Sequence, residues 1–302
     1  MIRNKCLICE SNQFLTSLIK LKYSSKYIKK FLDDYYSVSS SKNILRNIKY
    51  LNYEIIKCKK CQFIWQKFIP NQKFLKNLYE VIIDKDLSLK KSIYKHRISR
   101  DSDKIQVNQV IHLVNKKNTK IKVLDYGAGW GHWAKNIESE IIKVFCLEYS
   151  KSRTKHIKKL KLNLIHKNKI IKKNIKFDFI RCEQVVEHLP ELQSTLSFLH
   201  KVLNKNGIIY ISVPNGNKII HSNKFSKNFI KKGPVQPLEH LNCFNNFSLN
   251  KILRMNNFKR VPIQNLIHAK WYSNKLSFKN YKSIFRDIYD YYFGTTLIYT
   301  KN

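Results

Sequence analysis

The chain has 302 residues, of which 43% are hydrophobic, enough to build one large domain and one small one. No apolar run approaches the length needed to span a membrane, which excludes an integral helical membrane protein. The formal net charge of +38 would ordinarily point to a polyanion, but 49 Lys stand against 9 Arg, with 38 Ile and 30 Asn, residues of A/T-rich codons; solvated lysine faces and a true polyanion surface are both open readings.

Residues 1–85 read as a cysteine module. Cys6-Leu7-Ile8-Cys9 and Cys58-Lys59-Lys60-Cys61 are two Cys-x-x-Cys knuckles, and four thiolates suit one tetrahedral structural zinc with no open coordination position. The 48 residues between the knuckles must form an insertion that returns to its start. Two disulfides are the rival pairing. Residues 1–10 lack the apolar stretch of a signal peptide, so a cytoplasmic location is expected and zinc is preferred. Asn71 to Glu80 reads as a short helix. Residues 86–119 read as a bridging helix, with Ile105, Val107, Val110, Ile111 and Val114 at helical spacing.

Residues 120–302 open on Ile121-Lys122-Val123-Leu124, a buried strand, followed by Asp125-Tyr126-Gly127-Ala128-Gly129-Trp130-Gly131 and a helix over 132–140. Three of the chain's seven glycines fall within five residues. In a strand–glycine turn–helix, one glycine makes the turn, another admits a ligand to the backbone, and the last lets the helix pack. Gly131-His132-Trp133 lacks the lysine and hydroxyl of a phosphate loop, and the third glycine is one residue too early for a dinucleotide fingerprint. Asp125 would repel a pyrophosphate but suits an amino group or sulfonium, and S-adenosylmethionine (SAM) carries both. Glu148 closes the next apolar run, Val144 to Leu147, where an acid would hold a ribose diol. Strands and helices alternate to residue 213, which implies a parallel sheet. Phe247 to Asn256 then reads as a helix, Phe258 to Gln264 as a strand, Phe278 to Phe293 as a helix and Thr295 to Thr300 as a last strand. Cys146, Cys182 and Cys243 read as buried apolar residues.

The glycine turn, Glu148, the stretch from Phe177 to Leu189 and the stretch from Leu203 to Asn215 together resemble the class I SAM-dependent methyltransferases. With the cysteine knuckles, the chain resembles bacterial methyltransferases with an N-terminal zinc-binding domain, sugar C-methyltransferases among them, although it ends before their extra C-terminal domain. The resemblance implies an α/β fold: a Rossmann-like, mostly parallel sheet with helices on both faces, preceded by a zinc-ribbon-like module. It implies SAM held by Asp125, Gly127, Ala128, Gly129, Gly131, Glu148, Tyr149, Cys182 and Glu183, with Tyr149 placed to stack on adenine. Glu-His-Leu occurs twice, at 187–189 and 239–241. In the resembling families the second lies near the acceptor, which makes His240 the candidate base, with Glu239 beside it. The expected reaction is methyl transfer to a small molecule, such as a nucleotide-linked sugar or glycan precursor. RNA or another polyanion is the alternative acceptor, and a non-catalytic binding protein is the third reading.

Overall fold

The computed structural model describes residues 1–114, 120–220, 233–273 and 288–301, and forms two compact units. The first takes in Met1–Asp84, Val186–Leu192 and Val213–Ile252; the second takes in Lys85–Val185, Gln193–Ser212 and Leu253–Asn302. Chain order and compact unit therefore part company after residue 185, because two later segments fold with the cysteine region.

In the first unit, β1 (Leu15–Lys22), β2 (Asn52–Cys58) and β3 (Ile64–Gln66) form an antiparallel sheet, with α1 (Lys26–Tyr36) and α2 (Val38–Ile48) filling the insertion between the knuckles. The two helices are separated at Ser37, whose φ of 82° breaks the helix and whose hydroxyl then accepts from Ser40 N–H. A short strand, β9 (Asn242–Cys243), completes the sheet by pairing with Ile64 and Trp65. The core beneath it joins Ile28, Phe31 and Leu32 of α1 to Tyr53 and Ile55 of β2, and to Leu238 and Leu241 from the late segment. The helix expected over 71–80 is α3 (Gln72–Asn77), capped by Asn71, whose side chain accepts from Phe74 N–H at 2.8 Å. It runs on into a wider π turn at Leu78–Ile82.

The second unit opens with two helices, α4 (Lys85–Ile98) and α5 (Arg100–Val114), where the sequence pattern suggested one. The break falls at Ser99, which precedes a fresh first turn carrying Asp101 and Asp103. A seven-stranded sheet follows. Its strands are β4 (Ile121–Tyr126), β5 (Ile142–Leu147), β6 (Asn163–Leu164), β7 (Phe177–Glu183), β8 (Leu203–Ser212), β10 (Phe258–Arg260) and β11 (Thr296–Lys301). Their order is β10-β11-β8-β7-β4-β5-β6; the five from β4 to β8 are parallel, and β11 and β10 run antiparallel at one edge. Between the strands run α6 (His132–Ile137), α7 (Lys151–Lys159), α8 (Lys167–Lys172) and α9 (Leu192–Val202). α6 stops short of the expected residue 140, with Glu138 already extended.

The parallel strands read as near-continuous apolar runs because both faces are covered: Val123, Val144 and Phe179 are fully buried. Cys146 and Cys182 lie in that core, and Cys243 in the core of the first unit. α10 (Asn217–Ile220) and α11 (Asn246–Met255) precede β10. β10 ends at Arg260 rather than continuing to residue 264, because Pro262 cannot donate to a strand ladder and instead opens α12 (Ile263–Ser273). Of the helix expected over 278–293, residues 288–293 are helical and 278–287 lie outside the described residues. No described helix is long and apolar enough to cross a membrane.

Candidate functional site

The glycine turn leaves β4 at its carboxyl end. Gly127, Gly129 and Gly131 all have positive φ, at 76°, 57° and 79°, a region that side-chain-bearing residues enter at a cost. Their surroundings differ. A Cβ on Gly127 would come within 2.5 Å of Val185, and one on Gly131 within 3.0 Å of Ile157 in α7 and 3.2 Å of Leu162. A Cβ on Gly129 would meet nothing within 4 Å. Two glycines are thus required by packing, whereas at the middle one only the positive φ favours glycine and the space beside the backbone is open.

Glu148 ends β5 beside this opening. Its Oε2 accepts from Gly129 N–H at 2.8 Å, and Oε1 accepts from Tyr149 and Ser150 N–H at 2.8 and 3.0 Å. Arg153 lies 3.9 Å from the same carboxylate. The acid is almost fully buried, and its two oxygens are held in place by three backbone amides. Tyr149, the next residue, is 68% exposed and leaves its ring available as a stacking surface. Asp125 is buried at the end of β4; its Oδ1 accepts from Arg181 at 3.2 Å, while Oδ2 has no hydrogen-bond partner among the described residues. Burial pushes the Asp125 carboxyl up, and the Arg181 guanidinium beside it pulls it back. Glu183 is gripped by Arg181 and, at 3.0 Å, by Lys95, so that its carboxyl falls below the usual range despite burial. Open space beside the Gly129 backbone, a buried acid beside it and a second buried carboxylate with one idle oxygen are a donor set whose chemistry fits SAM.

Sequence reasoning missed the contribution of α4 and the role of Arg181. α4 buries none of its residues and shows no apolar stripe, so it gave no periodic signal. It is tied down by polar contacts: Ser88 accepts from Trp130 Nε1 at 3.1 Å, Ser92 lies 2.9 Å from His132 Nδ1, and Lys95 pairs with Glu183. Trp133 is buried on α6, with Arg181 over its ring at 4.4 Å.

The remaining expected residues belong to the first unit. Sγ atoms of Cys6, Cys9, Cys58 and Cys61 all lie within 4.8 Å of one another, with Cys6–Cys61 at 3.3 Å and Cys9–Cys58 at 3.6 Å. Sulfurs on a tetrahedral zinc with ordinary bond lengths would be separated by about 3.8 Å, so the set is compatible with that ion after small shifts. No disulfide joins the four cysteines in this structure. The hydrogen bond from Cys61 lowers the Cys6 thiol to about 5 and pushes the Cys61 thiol up, so the pair shares a proton that a cation would displace.

His240 and His188 pack ring against ring, 5.0 Å between centroids and near perpendicular. Burial lowers the His240 imidazole to about 4, against the carbonyls of Gly233 and Pro234, so it is neutral at physiological pH. His188 Nδ1 donates to the Glu239 carbonyl at 2.9 Å and lies 3.1 Å from the Tyr79 hydroxyl, while Nε2 lies 3.8 Å from Glu187 Oε1. The Glu239 carboxylate is engaged otherwise: it accepts from Tyr36 at 2.5 Å and from Gln236 at 3.1 Å. Both bonds fall on Oε1, which ties the carboxylate to α1 and to the loop it belongs to. Tyr36, Tyr79 and Gln236 had no sequence signal, because they meet this loop only in the folded unit.

The family profile described as Methyltransferase domain matches residues 97–263, more than half of the chain. Among solved structures, the chain is similar to the plantazolicin methyltransferase BpumL in complex with SAH, at 14% identity over 76% of this chain and 94% of that one, with a TM-score of 0.46. It is similar also to the cyclopropane synthase MmaA2 from Mycobacterium tuberculosis, at 13% identity over 65% of this chain and 84% of that one, with a TM-score of 0.39. No curated protein matches.

Proposed function

The chain belongs to the methyltransferase-domain family and is a SAM-dependent methyltransferase, and from that premise we propose that it methylates a small molecule, a nucleotide-linked sugar or related glycan precursor. The observation that carries this reading is the composition of the first unit, which joins the four-cysteine cluster to the paired His188 and His240. That combination supports the resemblance to methyltransferases with an N-terminal zinc domain. Zinc at Cys6, Cys9, Cys58 and Cys61 is structural in this reading, because four protein ligands leave no position for a substrate.

SAM, when bound, supplies an electrophilic methyl carbon on a sulfonium. In this reading Glu148 would hold the ribose hydroxyls, the bare backbone at Ala128 and Gly129 would admit the nucleoside, Tyr149 would cover the adenine, and Asp125 would hold the cationic end. Cys182, fully buried at the end of β7, shapes the floor, and Glu183 anchors Lys95 and Arg181. His240, neutral and shielded, accepts the proton that an oxygen or carbon acceptor must lose. Glu239 is a bracing residue here, through Tyr36 and Gln236.

The test is methyl incorporation from labelled SAM at near-physiological salt, with total RNA and a small-molecule extract offered in parallel. Label in the small-molecule fraction, lost in His240→Ala, is the expected result. Label in RNA with His240→Ala fully active would overturn both the acceptor class and the base. The basic run from Lys151 to Lys176 makes weak RNA retention at low salt uninformative, so only transfer decides.

A further inference from the structure

Strand β7 carries an arginine deep inside the second unit, next to the residue that starts the glycine turn. Arg181 is the register partner of Asp125 across the parallel β4–β7 pair. Arg181 is 7% exposed and its guanidinium carbon lies over the Trp133 ring, 4.4 Å from the centroid, so its direction is set by packing as well as by charge. One arm donates to Asp125 Oδ1 at 3.2 Å and the other to Glu183, which Lys95 holds from α4 at 3.0 Å. Asp125 itself is 1% exposed, with Oδ2 buried and without a hydrogen-bond partner among the described residues. A buried carboxylate with one oxygen committed and the other idle is costly in an empty protein, and is suited to a cationic donor from a ligand.

We propose that Arg181 is a positioning residue for SAM, holding Asp125 ionised through Oδ1 so that Oδ2 receives the cofactor's positively charged end. This rests on the SAM reading above. The groups facing Asp125 are Arg181 and Glu183 from β7, His96 from α4 and Cys146 from β5. Cys146 stays a neutral thiol because burial pushes it up. Tyr210 of β8 faces Arg181, and it too stays protonated. Removing Arg181 therefore leaves burial and Glu183 both favouring the protonated acid, opposed by His96. A protonated Asp125 offers a cation no charge.

The experiment is calorimetric titration of the full chain with SAM from about pH 6 to pH 9, comparing each variant with wild type at the same pH so that ionisation of the ligand cancels. Arg181→Met should bind roughly tenfold more weakly at the acid end and recover toward wild type as the pH rises and Asp125 ionises. Arg181→Lys should keep most of the affinity at every pH. Asp125→Asn, close in shape and never charged, should be weaker by about tenfold with no such recovery. Arg181→Met matching wild type across the range, or a constant deficit in it, would overturn the proposal. So would Asp125→Asn binding as well as wild type, an arm that stands even if Arg181→Met does not fold. Wild type failing to bind SAM at all would instead refute the cofactor reading, and this inference with it.

Discussion

Replacing Gly129 with alanine should separate cofactor binding from folding, and replacing Gly127 should not. Both residues have positive φ, so an alanine at either position costs about 1–2 kcal/mol in backbone strain. At Gly129 that is the whole cost, because the added methyl meets nothing within 4 Å. At Gly127 the methyl would come within 2.5 Å of Val185 Cγ2, and displacing a packed valine adds about 1–3 kcal/mol. With roughly 2–4 °C of Tm per kcal/mol in a domain of this size, Gly129→Ala should melt a few degrees below wild type and Gly127→Ala a further few degrees below that. Binding should reverse the order of interest. The Gly129 methyl projects into the opening beside Glu148, and SAM affinity should fall by at least about tenfold for a protein that is still folded. Thermal melts and calorimetry on the two variants decide it. Gly129→Ala binding SAM like wild type, or losing as much stability as Gly127→Ala, would refute the assignment of that opening to the cofactor.

Glu148→Ala removes the acceptor of three backbone amides as well as the ribose ligand; SAM affinity should drop by about tenfold or more, with a lower Tm, both read on the same sample. Purified protein should contain about one zinc per chain, and Cys58→Ser/Cys61→Ser should lose the metal and melt at lower temperature; metal analysis without zinc, with four freely titratable thiols, would rule the site out. His240 and His132 are both held near 4 by burial, while the unfolded chain takes up protons near the ordinary histidine value of 6.5. Folding stability should therefore fall as pH drops from about 6.5 toward 4, and His240→Gln should flatten part of that slope in melts across the range; an unchanged slope would show that the imidazole is not shielded.

The cofactor half of this protein was legible in the chain because it is local. A β-branched run, three glycines in five residues and an acid after the next apolar run lie within one strand–turn–helix–strand unit, so their placement together follows from their neighbours in sequence. The cysteine knuckles were legible for a related reason, since thiol spacing is a strong signal even across 48 residues. What tertiary structure alone decided is where distant segments contribute. Residues 186–192 and 213–252 fold with the cysteine region because Leu238 and Leu241 enter its core and Cys243 pairs with β3, contacts without a periodic trace. α4 packs through serines and a lysine rather than an apolar stripe, so only its contacts to Trp130, His132 and Glu183 reveal its work. Arg181 carries no motif or periodic signal in the sequence of β7. Only the parallel register that sets it beside Asp125 makes it a partner, because a buried charge acquires meaning from the opposite charge the fold brings to it.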